Sequence, residues 1–70
     1  MNGDLLRGKR AEHGFSQEDM ANNLGVSRLT YRLKETGDRE FTNSEMRKIA
    51  SILDLKLNEI NSIFFNNKIT

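Results

Sequence analysis

The stretch from Gln17 to Arg28 reads QEDMANNLGVSR, and its order of residues decides the local fold. Just before it, Ser16 is a residue type that caps the first turn of a helix. Met20, Ala21 and Leu24 then recur at helical spacing, which predicts one buried face. The side chain at Ala21 must be small because a second helix crosses the first at that point.

A short turn, Gly25-Val26-Ser27, follows this helix. Gly25 is the residue type most easily placed at positive φ, so it suits the turn. We predict that Val26 turns inward and that Ser27 caps a second helix running from Arg28 to about Glu35. Tyr31 would anchor that second helix to the core. Two short helices joined by such a turn give helix-turn-helix geometry.

Three further helical segments flank this pair. The first runs from about Asp4 to His13, and Thr42 to Glu45 has the spacing of a capping box that opens the fourth. The apolar positions of the first, fourth and fifth segments are Leu5 and Leu6, then Met46, Ile49, Ala50 and Leu53, then Leu57, Ile60, Ile63 and Phe64. The pattern predicts an all-α, compact five-helix fold. We expect a single helix-turn-helix domain over residues 1–65 and a short polar carboxyl-terminal tail over residues 66–70.

The composition excludes several classes of protein. With 70 residues and 8.1 kDa, the chain is too short to hold both a core and a deep substrate pocket. It has no cysteine and a single histidine, His13, which excludes disulfides, thiolate metal sites and histidine clusters. No apolar stretch approaches the ~20 residues that span a bilayer, and the first residues carry no secretory signal pattern. We therefore expect no enzymatic activity, no cofactor and a cytoplasmic location.

The charge is nearly balanced overall but uneven along the chain. Lys and Arg number 11 and Asp and Glu number 10, so the formal net charge is +1. The run from Ser27 to Lys34, however, holds three cations and no anion. This run attracts anionic partners, and the major groove of B-DNA, about 12 Å wide, admits one helix. The second helix of the pair is therefore the expected contact surface.

Residues 17–28 closely resemble the helix-turn-helix of Cro and phage-repressor proteins, the XRE family, which has a lambda-repressor-like five-helix fold. Similarity to the small Cro-type regulators of phages that infect Gram-positive bacteria continues through Thr30-Tyr31, Lys34-Glu35, Gly37, Glu40-Phe41-Thr42 and Glu45. The resemblance covers about residues 4–65. It implies a phage-type transcriptional regulator that binds double-stranded operator DNA as a dimer, in the cytoplasm of a bacterial host.

The same resemblance implies a set of DNA-binding positions. They are Gln17, Ser27, Arg28, Leu29, Thr30, Arg32, Leu33, Thr36 and Arg39. In the family, the positions of Arg28, Leu29 and Leu33 usually touch base edges, and that of Gln17 holds a phosphate near a helix amino terminus. Arg10 and Glu35 match positions that form a structural ion pair in relatives. The expected fold residues are this pair together with Ala21, Gly25, Val26 and Tyr31.

Two features favour a different partner. Leu29 and Leu33 lie four residues apart on the outward face, and leucine offers a base edge only van der Waals contact with a thymine methyl group. Asp38 falls in a loop where a cation commonly meets phosphate. The alternative interpretation is a modulator or antirepressor that uses Leu29, Arg32 and Leu33 to bind a phage repressor protein. An antitoxin domain is a third interpretation.

The last apolar residues, Ile63, Phe64 and Phe65, suggest a homodimer contact. One phenylalanine should close the core, and the other, left exposed, would suit a two-fold interface between subunits. The alternative is that these residues fold back over their own domain as a lid. The sequence leaves open whether Phe65 belongs to the core or to an interface.

Overall fold

The computed structural model describes residues 1–65, and this part of the chain is all-helical. Its α-helices are α1 (Gly3–Glu12), α2 (Gln17–Leu24), α3 (Arg28–Thr36), α4 (Asn43–Ile52) and α5 (Leu57–Ile60), followed by a π-helical turn (Asn61–Phe65). The predicted all-α, five-helix class is confirmed. The predicted tail over residues 66–70 lies outside the described residues. Among the helices of residues 1–65, none combines the length and apolar composition that a membrane crossing requires.

Local chemistry sets where the central helices begin and end. At the start of α2, Ser16 Oγ accepts from the Asp19 amide at 3.0 Å, and Asp19 Oδ2 accepts from the Ser16 amide at 2.9 Å. Thr42 and Glu45 form the same reciprocal capping box at the start of α4. Gly25 ends α2 at φ 71°, in the left-handed region that glycine adopts without a steric penalty. The boundaries expected from the capping residues are therefore found at these helices.

A single core joins α1, α2, α3, α4 and the π-helical turn, whereas α5 contributes no buried residue. Its buried apolar residues are Leu6, Met20, Ala21, Leu24, Tyr31, Phe41, Ile49, Leu53 and Ile63. Aromatic contacts run through it, because the ring centroids of Tyr31 and Phe41 lie 6.1 Å apart and those of Phe41 and Phe64 lie 5.6 Å apart, edge to face. Such offset contacts add to the free energy of burial. They connect the inner face of α3 to the end of the described chain.

The amino terminus packs closely against both α3 and the π-helical turn. The Asn2 amide donates to the Ile63 carbonyl at 2.7 Å. Gly3 lies so close to α3 that an added Cβ atom would collide with the carbonyl oxygen of Glu35. Only glycine fits there, because moving a backbone carbonyl would shift the end of α3.

The carboxyl-terminal end differs from the sequence-based expectation in three ways. The fifth helix has one α-helical turn and continues as a π-helical turn. Leu57, expected to face the core, is 74% exposed because α5 is a single turn that buries none of its residues. Ile63, predicted by its spacing to face the core and also expected at a dimer contact, is fully buried in the core and therefore cannot form that contact. The π-helical turn begins only at Asn61, and there the hydrogen bonding departs from the 3.6-residue period assumed for a continuous fifth helix.

Candidate nucleic-acid interface

The outward face of α3 carries an apolar stripe. Successive residues of an α-helix are about 100° apart, so Leu29 and Leu33, each two positions from the buried Tyr31, point away from the core. Leu29 is 61% exposed, whereas Leu33 is partly buried at the other end of the helix. The two predicted leucines therefore share a face but are unequally available to a partner.

Exposed polar groups flank this stripe on both sides. Arg28 and Arg32 lie one turn apart along one side, and the ion pairs formed within residues 1–65 involve neither guanidinium. On the other side, Ser27 Oγ accepts from the Thr30 amide at 3.1 Å and donates to Thr30 Oγ1 at 2.9 Å. The hydroxyl hydrogen of Thr30 is therefore left to donate to an external acceptor.

The inner face of α3, by contrast, is built around the carboxylate of Glu35. Arg10 donates to it twice, from Nε at 2.8 Å and from Nη2 at 3.1 Å. The Tyr31 hydroxyl donates at 2.7 Å and Gln17 Nε2 at 3.2 Å. The side chains of Arg10 and Glu35 are only 12% and 2% exposed. Four donors thus satisfy a buried carboxylate, which fixes the angle between α1, α2 and α3.

The charge state of this cluster follows from its contacts. Burial alone would raise the pKa of Glu35, but the hydrogen bonds from Arg10, Tyr31 and Gln17 outweigh it and hold that pKa below its ordinary value. Burial, together with the bond to Glu35, raises the pKa of the Tyr31 hydroxyl. Glu35 is therefore a carboxylate and Tyr31 a neutral donor at neutral pH. The cluster has a structural role.

A second ion pair, between Lys34 and Glu45, was missed by the sequence reasoning. Lys34 Nζ lies 2.5 Å from Glu45 Oε1, and the same oxygen accepts from the Thr42 amide at 2.9 Å. Burial would raise the pKa of Glu45, but the bonds from Lys34 and Thr42 lower it. The sequence signal for this pair was the position of Lys34, three residues after Tyr31, which places the lysine on the inner side of α3. This pair ties α3 to the amino terminus of α4.

The remaining predicted residues lie around the two ends of α3. Gln17 is partly buried and uses one of its two amide hydrogens on Glu35, so the other is left to donate. Beyond α3, Thr36 Oγ1 donates to Asp38 Oδ2 at 2.9 Å, and Arg39 is exposed. The structure thus brings Arg28 onto the same helix face as the leucines and places Arg39 at the far end of that helix.

Comparison with known proteins gives one match. The sequence model of a family described as helix-turn-helix matches residues 6–60, from the first turns of α1 to the end of α5. Neither the curated proteins nor the solved structures compared with the chain include a significant match.

Proposed function

Because the chain belongs to the helix-turn-helix family of Cro and lambda-repressor type, and is thus a DNA-binding transcription regulator, we propose that α3 enters the major groove of an operator. One observation carries this proposal. On the inner face of α3 the Tyr31 hydroxyl and the Glu35 carboxylate have partners, whereas the outward cations Arg28 and Arg32 pair with no other described residue. An anionic groove of one-helix width complements that outward face.

Arg28 is the residue proposed to contact a base. It is the first residue of α3, and a guanidinium can donate twice to guanine O6 and N7. The proposed phosphate contacts are Gln17, Thr30, Arg32 and Arg39. These contacts position the protein on DNA without reading its sequence. Ser27 and Thr36, at the two ends of α3, would lie near the backbone with their hydroxyls already engaged in local hydrogen bonds.

The proposed operator belongs to a phage, and the proposed active form is a dimer. The phage assignment is supported by the resemblance of the residues from Thr30 to Glu45 to small Cro-type regulators. The dimer is supported by Phe65, which is 54% exposed beside a groove formed by Met46, Ala50 and Ile60. Light scattering at ~100 µM, well above micromolar affinities, tests this contact. A monomer at that concentration, or a dimer unaffected by Phe65→Ser, would contradict it.

DNA binding is tested by salt dependence and by two matched arginine substitutions. The logarithm of the affinity should fall with the logarithm of salt concentration, by a slope of about −0.9 per neutralised phosphate. Arg28→Ala should relax sequence preference, whereas Arg32→Ala should weaken all sequences alike and reduce the slope by about 1. Lys56→Ala removes a cation outside the helix-turn-helix and serves as the control. A flat salt response would contradict the groove proposal.

A second candidate function is favoured by the exposure of Leu29 and by Asp38 next to α3. In this candidate the outward face of α3, with Leu29, Arg32 and Leu33, binds a phage repressor protein, so the chain modulates transcription indirectly. Leu29→Asp should then abolish the protein complex, and the complex should survive nuclease treatment. Specific nanomolar DNA binding by the isolated chain, with no nuclease-resistant protein complex, would exclude this candidate.

A further inference from the structure

The outward face of α3 presents one strongly exposed apolar side chain within the described residues, that of Leu29. We propose that Leu29 determines sequence specificity by reading the C5-methyl group of a pyrimidine, so that thymine and 5-methylcytosine are accepted alike. The inference rests on the proposed function, because it requires α3 to lie in the major groove. It adds to the proposed function that the operator carries a C5-methylated pyrimidine at the position that Leu29 contacts.

The chemistry of the side chain limits what Leu29 can recognise. Leucine has no donor or acceptor, so it cannot pair with the polar base edges that arginine or glutamine would read. The thymine C5-methyl group is the apolar group that the standard base pairs display in the major groove. Cytosine methylated at C5 displays a methyl group at the equivalent ring atom. Burial of such a methyl against Leu29 would remove apolar surface of both groups from water.

The position of Leu29 makes it the better placed of the two outward leucines. It is the second residue of α3, and the amino-terminal residues of a helix in this geometry are the ones that reach base edges. Leu33 lies one turn further on and is partly buried, so it has less surface left for contact. The neighbouring guanidinium of Arg28 would direct this end of α3 toward the anionic groove.

The rigid attachment of α3 to the rest of the domain makes the contact of Leu29 with a methyl group selective. Ser27 caps the first turn of α3, and Tyr31, two residues beyond Leu29, is fully buried and bonded to Glu35. The helix is therefore presented in a fixed orientation, and a missing methyl group is not compensated by movement of the backbone. A protein partner fits less well, because a helix-in-groove contact uses anchors one turn apart and only one of the two leucines is strongly exposed.

The experiment begins with a selection from duplex DNA containing about 20 random base pairs, long enough for two half-sites one turn apart. In the enriched duplex, each thymine is replaced in turn by deoxyuridine, which lacks only the C5-methyl group. At the position that responds, the thymine–adenine pair is also replaced by cytosine–guanine, with and without a C5-methyl group on the cytosine. Affinities are measured by fluorescence anisotropy for the wild-type chain, Leu29→Ala and Leu57→Ala.

The wild-type chain should bind the deoxyuridine duplex about fourfold more weakly per contacted methyl group, from the free energy of burying one such group. Methylation of the cytosine should strengthen binding by a similar factor. Both differences should vanish in Leu29→Ala. They should persist in Leu57→Ala, which removes an even more exposed leucine outside the helix-turn-helix.

Two results would overturn this inference and leave the proposed function standing, and a third result would overturn both. If specific sites are enriched but deoxyuridine weakens binding at no position, Leu29 reads no methyl group. If the deoxyuridine effect is as large in Leu29→Ala as in wild type, another residue reads it. If no sequence is enriched from the thymine pool, or the chain binds only a protein, the proposed function fails and this inference fails with it.

Discussion

The helix-turn-helix and the carboxyl-terminal end of this chain are stabilised by different means. In the helix-turn-helix, α2 and α3 each begin at a serine that caps the first turn and end at a left-handed glycine. At the other end, the Lys56 side chain before α5 makes no cap, although Glu59 accepts from the Lys56 amide at 2.8 Å, and α5 becomes a π-helical turn after four residues. The first region is specified by local hydrogen bonds. The second depends on the burial of Ile63 among distant residues.

The difference is consistent with the role proposed for α3. Its caps, together with the buried cluster around Glu35, hold its inner face, so Arg28, Leu29 and Arg32 remain exposed on the outside. The carboxyl-terminal end has no comparable separation between a buried face and an exposed face, because the same short segment both closes the core and exposes Phe65. Four predictions test this contrast, beginning with the largest expected effect.

Removing the negative charge of Glu35 should have the largest effect. Glu35→Gln leaves the buried guanidinium of Arg10 without its counter-charge, and breaking such a pair costs about 3 kcal/mol or more of unfolding free energy. Glu12→Gln, the same change at an exposed carboxylate of α1, should cost less than about 0.5 kcal/mol. Urea unfolding followed by circular dichroism measures both. Equal stability of the two variants would show that the cluster does not hold the three helices.

The carboxyl-terminal end should depend on one side chain. Ile63→Ala removes a fully buried side chain and should cost about 2–4 kcal/mol, even though it lies beyond the helix-turn-helix. Phe65→Ala, two residues later at an exposed position, should change the stability of the monomer by less than about 0.5 kcal/mol. Thermal unfolding at low protein concentration distinguishes them. A stable Ile63→Ala variant would mean that this end of the chain is not part of the cooperative unit.

Acidification should weaken both ion pairs of α3. The pKa values of Glu35 and Glu45 are lowered in the folded chain, so the unfolded chain takes up protons first as the pH falls. The stability contributed by these carboxylates is therefore complete above about pH 5 and is lost as the pH falls through their folded pKa values. Urea midpoints at about pH 7 and pH 3 measure the loss. In Glu45→Gln the loss should be smaller, and an identical loss would rule out a contribution from the Lys34 pair.

The smallest effect should come from giving α5 the cap that it lacks. Lys56→Ser supplies a side-chain acceptor at the amino terminus of α5 and should raise the unfolding free energy by about 0.5–1 kcal/mol. Ser27→Ala removes the corresponding cap of α3 and should lower it by about 1 kcal/mol. Differential scanning calorimetry is sensitive enough for both. No gain in Lys56→Ser would indicate that α5 is positioned by the core alone.

The parts of the fold that could be predicted are those with local signals. Ser16 and Gly25 predicted the limits of α2, Ser27 predicted the start of α3, and the spacing of Met20, Ala21 and Leu24 predicted the buried face. The close approach of Gly3 to α3 left no such signal, because it joins residues far apart in sequence. The burial of Lys34 was not predicted either, since its partner Glu45 had already been assigned a capping role within its own helix.

The sequence predicted which residues belong to the candidate site better than it predicted their exposure and their contacts. A resemblance in sequence identified the outward residues of α3, but it could not show that Leu29 is far more exposed than Leu33, because exposure depends on tertiary packing. It assigned Gln17 to phosphate without revealing its bond to Glu35. The apolar character of Ile63 was compatible with both the core and a dimer interface, and only the tertiary packing shows that it is buried.

The serine cap and left-handed glycine at the two ends of α3 have a thermodynamic consequence. A helix bounded in this way already has its final conformation before it meets a ligand, so association does not include the cost of folding a segment. Calorimetric titration should then give a modest negative heat capacity change, far from the large values typical of binding coupled to folding. The association rate should likewise be governed by diffusion and charge rather than by a slow rearrangement of the chain.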